Sequence, residues 1–93
     1  MEKNIHVDIV VTGSVQGVWF RKYTLDEANR LGLKGWVKNL ESGNVALAVE
    51  GSTLAVDQMV NWLHQGSPPL SKVRQVKAVK GEWLGYSSFM IIR

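Results

Sequence analysis

The spacing of apolar residues changes period along this chain, and the order of those periods constrains its fold more than any other feature. Over residues 5–11 apolar side chains stand at every second position, which is typical of a strand with one buried face. Over residues 53–65 they follow the i, i+3, i+4, i+7 spacing of a helix, and Gly66 with two prolines ends that segment. One chain therefore supplies both strands and amphipathic helices.

The remaining segments complete a regular series. The predicted elements are a strand over 5–11 that ends at Gly13, a helix over about 21–31, strands over 34–40 and 45–50 joined by a polar turn at 41–44, a helix over 53–65, and strands over 72–79 and about 87–92, with 80–86 left open. This order repeats a split βαβ unit. We therefore predict an α+β, ferredoxin-like βαββαβ sandwich with an antiparallel sheet, an extra C-terminal strand and two helices on one face.

Length and composition exclude several classes of protein. The 93 residues can bury one modest core, so a single domain over 1–93 is expected. Because the chain has no cysteine, disulfides, a thiol nucleophile and thiolate metal sites are excluded. The net charge of +3 is a mild bias toward anionic ligands. The sequence shows neither a signal-peptide pattern nor a bilayer-spanning run, so we expect a cytoplasmic monomer without a membrane partner.

The predicted topology brings two segments to the same edge of the sheet. Strands one and two run parallel with strand three between them, so the loop after strand one lies near the end of strand two. That loop, residues 13–21, contains two glycines, which allow backbone N–H groups to converge, and it leads into the start of a helix. Such a loop favours anion binding, and the Arg21 guanidinium can hold two phosphoryl oxygens at once. Taken alone, the loop is also typical of a plain turn.

Asn39 stands where the second strand is predicted to end. Asparagine at a strand end is common in ordinary turns. Opposite Arg21, however, its carboxamide offers an acceptor oxygen and two donors without a negative charge. Such a group can orient a water molecule beside an anionic substrate, which a carboxylate would repel.

Both segments resemble the two signature stretches of the acylphosphatase family. The run VQGVWFR at 15–21 is similar to the family's phosphate loop with its essential arginine, and GWVKN at 35–39 is similar to the stretch around its essential asparagine. Gly43, Val45 and Gly51 follow at the family's spacing. The pattern Phe-x-Ile at 89–91 also agrees, so the resemblance spans nearly the whole chain.

The resemblance implies a metal-independent acylphosphate phosphohydrolase without a cofactor. Such an enzyme hydrolyses a small acyl phosphate to a carboxylate and inorganic phosphate by direct attack of water, and phosphate or a similar anion is expected to inhibit it. The implied catalytic residues are Arg21, which holds the phosphoryl group, and Asn39, which orients the water. The implied phosphate-binding residues, acting mainly through backbone amides, are Val15, Gln16, Gly17, Val18, Trp19, Phe20 and Arg21. Trp19 occupies the variable position of the loop and is expected to border the acyl group.

Other readings stay open at this point. Ser14 stands where family members commonly carry a basic residue, which leaves the affinity for phosphate open. The alternative is a ferredoxin-like ligand-binding or RNA-binding module with little hydrolase activity, because KGWV at 34–37 echoes an RNA-recognition strand. The next positions lack the aromatic residues that would stack bases, which argues against a nucleic-acid partner. His6 and His64 have no metal-ligand spacing and are expected to be ordinary surface or packing residues.

Overall fold

The computed structural model describes residues 3–16, 19–65 and 72–92. Its elements are β1 (Asn4–Ser14), α1 (Phe20–Arg30), β2 (Lys34–Asn39), β3 (Val45–Ser52), α2 (Thr53–Gln65), β4 (Lys72–Gly81) and β5 (Phe89–Ile92). The predicted order is confirmed, and α2 has the predicted bounds. Residues 80–86, left open by the sequence, divide between the end of β4 and an irregular segment that leads to β5.

The five strands form one sheet in the order β4-β1-β3-β2-β5. β1 pairs antiparallel with β3 and with β4, and β2 pairs antiparallel with β3. The prediction of an antiparallel sheet fails at one edge, because β5 pairs parallel with β2. β4 and β5 lie at opposite edges, so residues 82–88 must cross about 19 Å of sheet at about 4.8 Å per strand. After the crossing, β5 runs in the direction opposite to β4. β2 has the same direction as β5, so the two strands pair in parallel.

Both helices pack on the same face of the sheet, as predicted. α1 buries Phe20 and Ala28, α2 buries Met59 and Leu63, and these side chains share one core cluster with inward residues of the strands such as Ile9. Burying each large apolar side chain contributes about 1.5–3 kcal/mol. The core therefore fixes the sheet relative to α1, which begins at Phe20, shortly after the end of β1.

Two strand glycines set how the backbone approaches the site. Gly13 and Gly35 both have φ of 139°, which disfavours any other residue. A Cβ at Gly13 would lie 2.0 Å from the Lys72 carbonyl oxygen, and one at Gly35 would lie 1.8 Å from that of Ala48. Glycine is therefore required for close strand pairing on β1 and on β2, the two strands that lead into the site.

The opposite face of the sheet carries a buried carboxylate. Glu50 is fully buried on β3, and it accepts hydrogen bonds from the backbone N–H groups of Leu84 (2.6 Å), Gly85 (2.9 Å) and Tyr86 (2.9 Å). It also accepts a 2.7 Å bond from His6 Nδ1. Because residues 84–86 belong to the crossing segment, Glu50 attaches the middle of that segment to the centre of the sheet.

His6 is therefore more than an ordinary surface or packing residue. It is 4% exposed, and its second ring nitrogen lies 2.8 Å from Asp8 Oδ1. Since an ionised carboxylate only accepts hydrogen bonds, both ring nitrogens donate while Asp8 and Glu50 are ionised, and this pairing favours the protonated imidazolium. Burial lowers the pKa of His6, but the hydrogen bonds from its ring to Glu50 and Asp8 outweigh burial and raise that pKa overall. Burial likewise raises the pKa of Glu50, and its bonds from Leu84, His6, Tyr86 and Gly85 lower it overall.

Candidate active site

The loop after β1 and the end of β2 meet in one cleft of about 560 Å³. Its walls come from α1, the loop before it, β2 and β5. The described lining residues are Val15, Gln16, Trp19, Phe20, Arg21, Lys22, Asn39 and Ile91. The structure thus brings together six of the predicted site residues, Val15, Gln16, Trp19, Phe20, Arg21 and Asn39, whereas Gly17 and Val18 lie outside the described residues. A second depression, of about 430 Å³, lies between α2 and β4 and contains none of them.

The start of α1 gives this cleft a positive potential. The helix begins at Phe20, and its N-cap residue, Trp19, makes no side-chain capping hydrogen bond. The first N–H groups of a helix have no intrahelical partner, and the helix dipole adds partial positive charge there. Arg21 and Lys22 stand in this first turn and line the cleft. Lys22 donates a 2.8 Å bond to Asp26, whereas no carboxylate in the described ranges forms an ion pair with Arg21.

Trp19 connects the loop to α1 in a conformation that is rare for a bulky residue. Its φ of 62° and ψ of 21° are left-handed, and among the described residues it is the one non-glycine with positive φ. Backbone strain of this kind clusters at functional sites. The indole is 77% exposed at the edge of the cleft, so it contributes little to the core. This agrees with the expectation that Trp19 borders a substrate.

Asn39 brings an amide group to the opposite side of the cleft. It is the last residue of β2, and its backbone pairs with Val45. Its Oδ1 atom is buried and has no hydrogen-bond partner among the described residues. A buried acceptor without a partner costs about 1–3 kcal/mol, so a water molecule or a bound group is expected to complete the hydrogen bonding of this oxygen. Asn39 itself lines the cleft.

The described lining suits an anion. It supplies cationic side chains and hydrogen-bond donors, and it contains no negative charge that would repel the anion. It includes no Asp, Glu or His side chain. Within residues 3–16, 19–65 and 72–92 no group of three or more His, Cys, Asp or Glu side chains is arranged to hold a metal ion. In the same ranges neither helix has the length and hydrophobicity of a membrane span.

Sequence reasoning missed two residues of the lining. Lys22 has the ordinary helical position after Arg21, and only its place in the first turn of α1 could have indicated that it lines the cleft. Ile91 reaches the cleft because β5 pairs parallel with β2, next to the strand that carries Asn39. Its place in the Phe-x-Ile pattern was a signal of resemblance and did not reveal this contact.

Comparison with known proteins identifies the family. A family model described as acylphosphatase matches residues 7–91. The chain belongs to the acylphosphatase family. An acylphosphatase from Nocardioides sp. is 51% identical over 83 residues, which cover 89% of this chain and 83% of that protein. An acylphosphatase from Anaeromyxobacter dehalogenans is 45% identical over 84 residues, which cover 90% of this chain and 86% of that protein.

Solved acylphosphatase structures share the fold. The structure of an acylphosphatase from Coxiella burnetii superposes with a TM-score of 0.91 at 34% identity, and the match covers 96% of this chain and 93% of that one. The resemblance drawn from the two sequence motifs is therefore confirmed, as are the ferredoxin-like fold and the expectation that this acylphosphatase-family chain is an enzyme. Ser14, the departure from the family pattern, is exposed at the end of β1 and pairs with Lys72 of β4.

Proposed function

We propose that this protein hydrolyses small acyl phosphates in the cleft between α1 and the end of β2. Its family membership supports the reaction, and the cleft supports the roles of the residues. The observation that carries the assignment is that two complementary groups lie in one cleft. Arg21 stands on one side with the start of α1, where Trp19 makes no side-chain cap, and the amide of Asn39, whose oxygen has no partner among the described residues, lies on the other.

The phosphoryl group binds on the α1 side. The planar Arg21 guanidinium holds two phosphoryl oxygens, and backbone N–H groups of the loop over 15–20 hold the rest. Donors that are preorganised in this way stabilise the charge of a transition state without reorganising. Inorganic phosphate presents the same oxygens and is therefore a competitive inhibitor as well as the product.

Asn39 acts on the water. Its Oδ1 accepts a hydrogen bond from a water molecule and directs the water oxygen toward phosphorus, in line with the acyl oxygen. The new P–O bond forms while the bond from phosphorus to the acyl oxygen breaks, and its electron pair leaves on the carboxylate. The water gives up its proton to the phosphate product or to solvent. Because a carboxylate is a stable leaving group, the reaction needs little general-acid help, which fits the described part of the lining, where no Asp, Glu or His occurs.

The proposal includes the state in which the protein works. We propose a monomer with a single domain over 1–93 as this state, and the described lining supports it because it already combines Arg21 with Asn39. We place this monomer in the cytoplasm and assign it no nucleic-acid or membrane partner. Size-exclusion chromatography with light scattering tests the monomer, and a dimer that is required for activity would contradict it.

The experiment compares hydrolysis of benzoyl phosphate by the wild-type protein and by Arg21→Gln, with a chelator present. Removing a preorganised charged donor should lower kcat/KM by about 10²–10³-fold and weaken inhibition by phosphate. Arg30→Gln is the matched control, because Arg30 is an exposed arginine on the same helix that pairs with Glu27 away from the cleft. Full activity of Arg21→Gln, or equal losses in both variants, would contradict the proposal.

A further inference from the structure

The side chain of Gln16 makes two bonds across the cleft that the reaction itself does not explain. Its Nε2 atom donates at 2.8 Å to the carbonyl oxygen of Leu40 and at 2.8 Å to that of Asn44. Both partners are carbonyl groups, which only accept, so the nitrogen end of the amide must face them. Both amide hydrogens are therefore used, and the atom left over, Oε1, is an acceptor. An acceptor cannot bind phosphoryl oxygens, so the Gln16 side chain is no phosphate ligand.

The two carbonyl groups lie at the base of the turn between β2 and β3. Leu40 directly follows Asn39, and its N–H donates a 2.9 Å bond to the Asn44 carbonyl oxygen. The Gly43 N–H donates a 3.1 Å bond back to the Leu40 carbonyl oxygen. The turn is thus closed by its own hydrogen bonds, and Gln16 attaches it to the loop after β1 from outside.

The cleft consists of two parts that this side chain connects. The phosphoryl group is held by Arg21 and by the backbone of the loop and α1, whereas the attacking water is held by Asn39 at the end of β2. The backbones of β1 and β2 are separated by β3, so the two parts are not paired directly. In-line attack requires correct distance and angle between water and phosphorus, and a displacement of about 1 Å can cost about 10²-fold in rate.

We propose that Gln16 is a positioning residue, which fixes Asn39 and its water relative to the phosphate-binding loop. The proposal rests on the proposed function. Loss of the two Gln16 bonds leaves each part of the cleft with its own groups and removes the constraint between them. Phosphate affinity is then kept, because all phosphate ligands belong to the loop and α1, and kcat falls, because the water is no longer aligned.

Gln16→Met tests this inference, because methionine has nearly the shape of glutamine and donates no hydrogen bond. We expect kcat for benzoyl phosphate to fall about 10–100-fold, with the inhibition constant of phosphate changed less than about threefold. Gln16→Leu likewise donates no hydrogen bond and adds no charge to the cleft, so it should lose at least as much and is the second variant if Gln16→Met does not fold. Gln58→Leu, an exposed glutamine change on α2, is the control and should leave kcat unchanged.

A double-mutant cycle with Asn39→Ala separates positioning from a general structural role. If Gln16 acts through Asn39, the loss on Gln16→Met should shrink to less than about threefold in the Asn39→Ala background. The same loss in both backgrounds, unchanged kcat in the single variant, or parallel weakening of phosphate inhibition would overturn the inference. A wild-type protein without turnover would instead overturn the proposed function, whereas active wild type with fully active Gln16→Met overturns the positioning role alone.

Discussion

Two regions of the molecule collect hydrogen-bond donors and positive charge that suit an anion. They differ in whether the chain itself supplies that anion. On the face of the sheet opposite the helices, the carboxylate of Glu50 is fully buried. It accepts hydrogen bonds from three backbone N–H groups and from the ring of His6. In the cleft, the start of α1 and Arg21 face a lining without any described carboxylate. The first region is completed by the chain itself, and the second is completed by a substrate.

The difference shows what each region contributes. A buried carboxylate is favourable only when donors surround it, and Glu50 has four, so this region fastens the crossing segment at 84–86 to the sheet. A cluster of such donors without an anion inside the protein would repel one another and lower the stability of the fold. The cleft keeps such a set of donors open, together with the Asn39 oxygen, which has no partner in the described part of the chain, and the strained Trp19 backbone. Both regions thus bind an anion through hydrogen-bond donors. The donors around Glu50 are already occupied and stabilise the fold, whereas those of the cleft are left for a substrate.

The largest effect that sharpens this comparison is expected at Asn39. Asn39→Ala removes the group that orients the water, so kcat should fall about 10²–10³-fold while the inhibition constant of phosphate stays within about threefold. Because the variant also removes a buried acceptor without a partner, its thermal stability should be equal to or above that of the wild type. Steady-state kinetics with benzoyl phosphate and a thermal melt measure both. Near wild-type turnover would contradict the water-orienting role.

Glu50→Gln should give the reverse pattern, with stability lost and catalysis kept. A glutamine amide keeps one acceptor oxygen and sets its NH₂ group against the two donors that the other carboxylate oxygen serves, so we expect a loss of about 3 kcal/mol in the free energy of unfolding. Benzoyl phosphate hydrolysis by the folded variant should remain within about twofold, since the change leaves every group of the cleft in place. Urea titration followed by tryptophan fluorescence measures the stability, with the exposed Glu41→Gln as the matched control. A variant as stable as the wild type would break the comparison.

The smallest predicted effect is the pH dependence of that same region. The pKa of His6 is raised above its ordinary 6.5. Its contribution to the free energy of unfolding is therefore complete below about pH 6.5 and is lost as the pH rises through the raised pKa. The pKa of Glu50 is lowered below its ordinary 4.5. Its contribution to the free energy of unfolding is therefore complete above about pH 4.5 and is lost as the pH falls through the lowered pKa. Stability from the pair should therefore be greatest between about pH 4.5 and 6.5 and decline on both sides.

Urea unfolding of wild type and His6→Gln across this range measures the effect. The decline above pH 6.5 should be weaker in the variant, because the group that loses its proton there is gone. A parallel decline in both proteins would assign the pH dependence to other groups. Kinetics at the same pH values should show no matching change in kcat, since His6 and Glu50 do not line the cleft.

Much of the fold was predictable because its signals are local. The bounds of α2 follow from a helical spacing and a terminating Gly66, and the strand character of β1 follows from simple alternation over 5–11. The meeting of Arg21 and Asn39 in one cleft was also predictable, because the parallel relation of β1 and β2 follows from the order of elements alone.

The remainder depends on side chains that meet from distant parts of the chain. The bonds of Gln16 join residues 24 and 28 positions apart, and His6 meets Glu50 across 44 positions. In the sequence Gln16 is one polar loop residue among several, and Glu50 is a charged residue near a strand end, which usually indicates exposure. No periodic pattern distinguishes these residues from solvent-exposed ones, so the burial of His6 and Glu50 could not be expected.

The sequence by itself determined the element order, the common face of the two helices and the two motifs that identify the family, because these depend on residue spacing and on conformational limits such as those of glycine. Only the tertiary structure decided that β5 joins β2 in parallel, that residues 84–86 bind Glu50, and that Gln16 connects the loop to the turn after Asn39. The physical reason is that hydrogen bonds act over about 3 Å, so these partners are settled by where the packed chain places them.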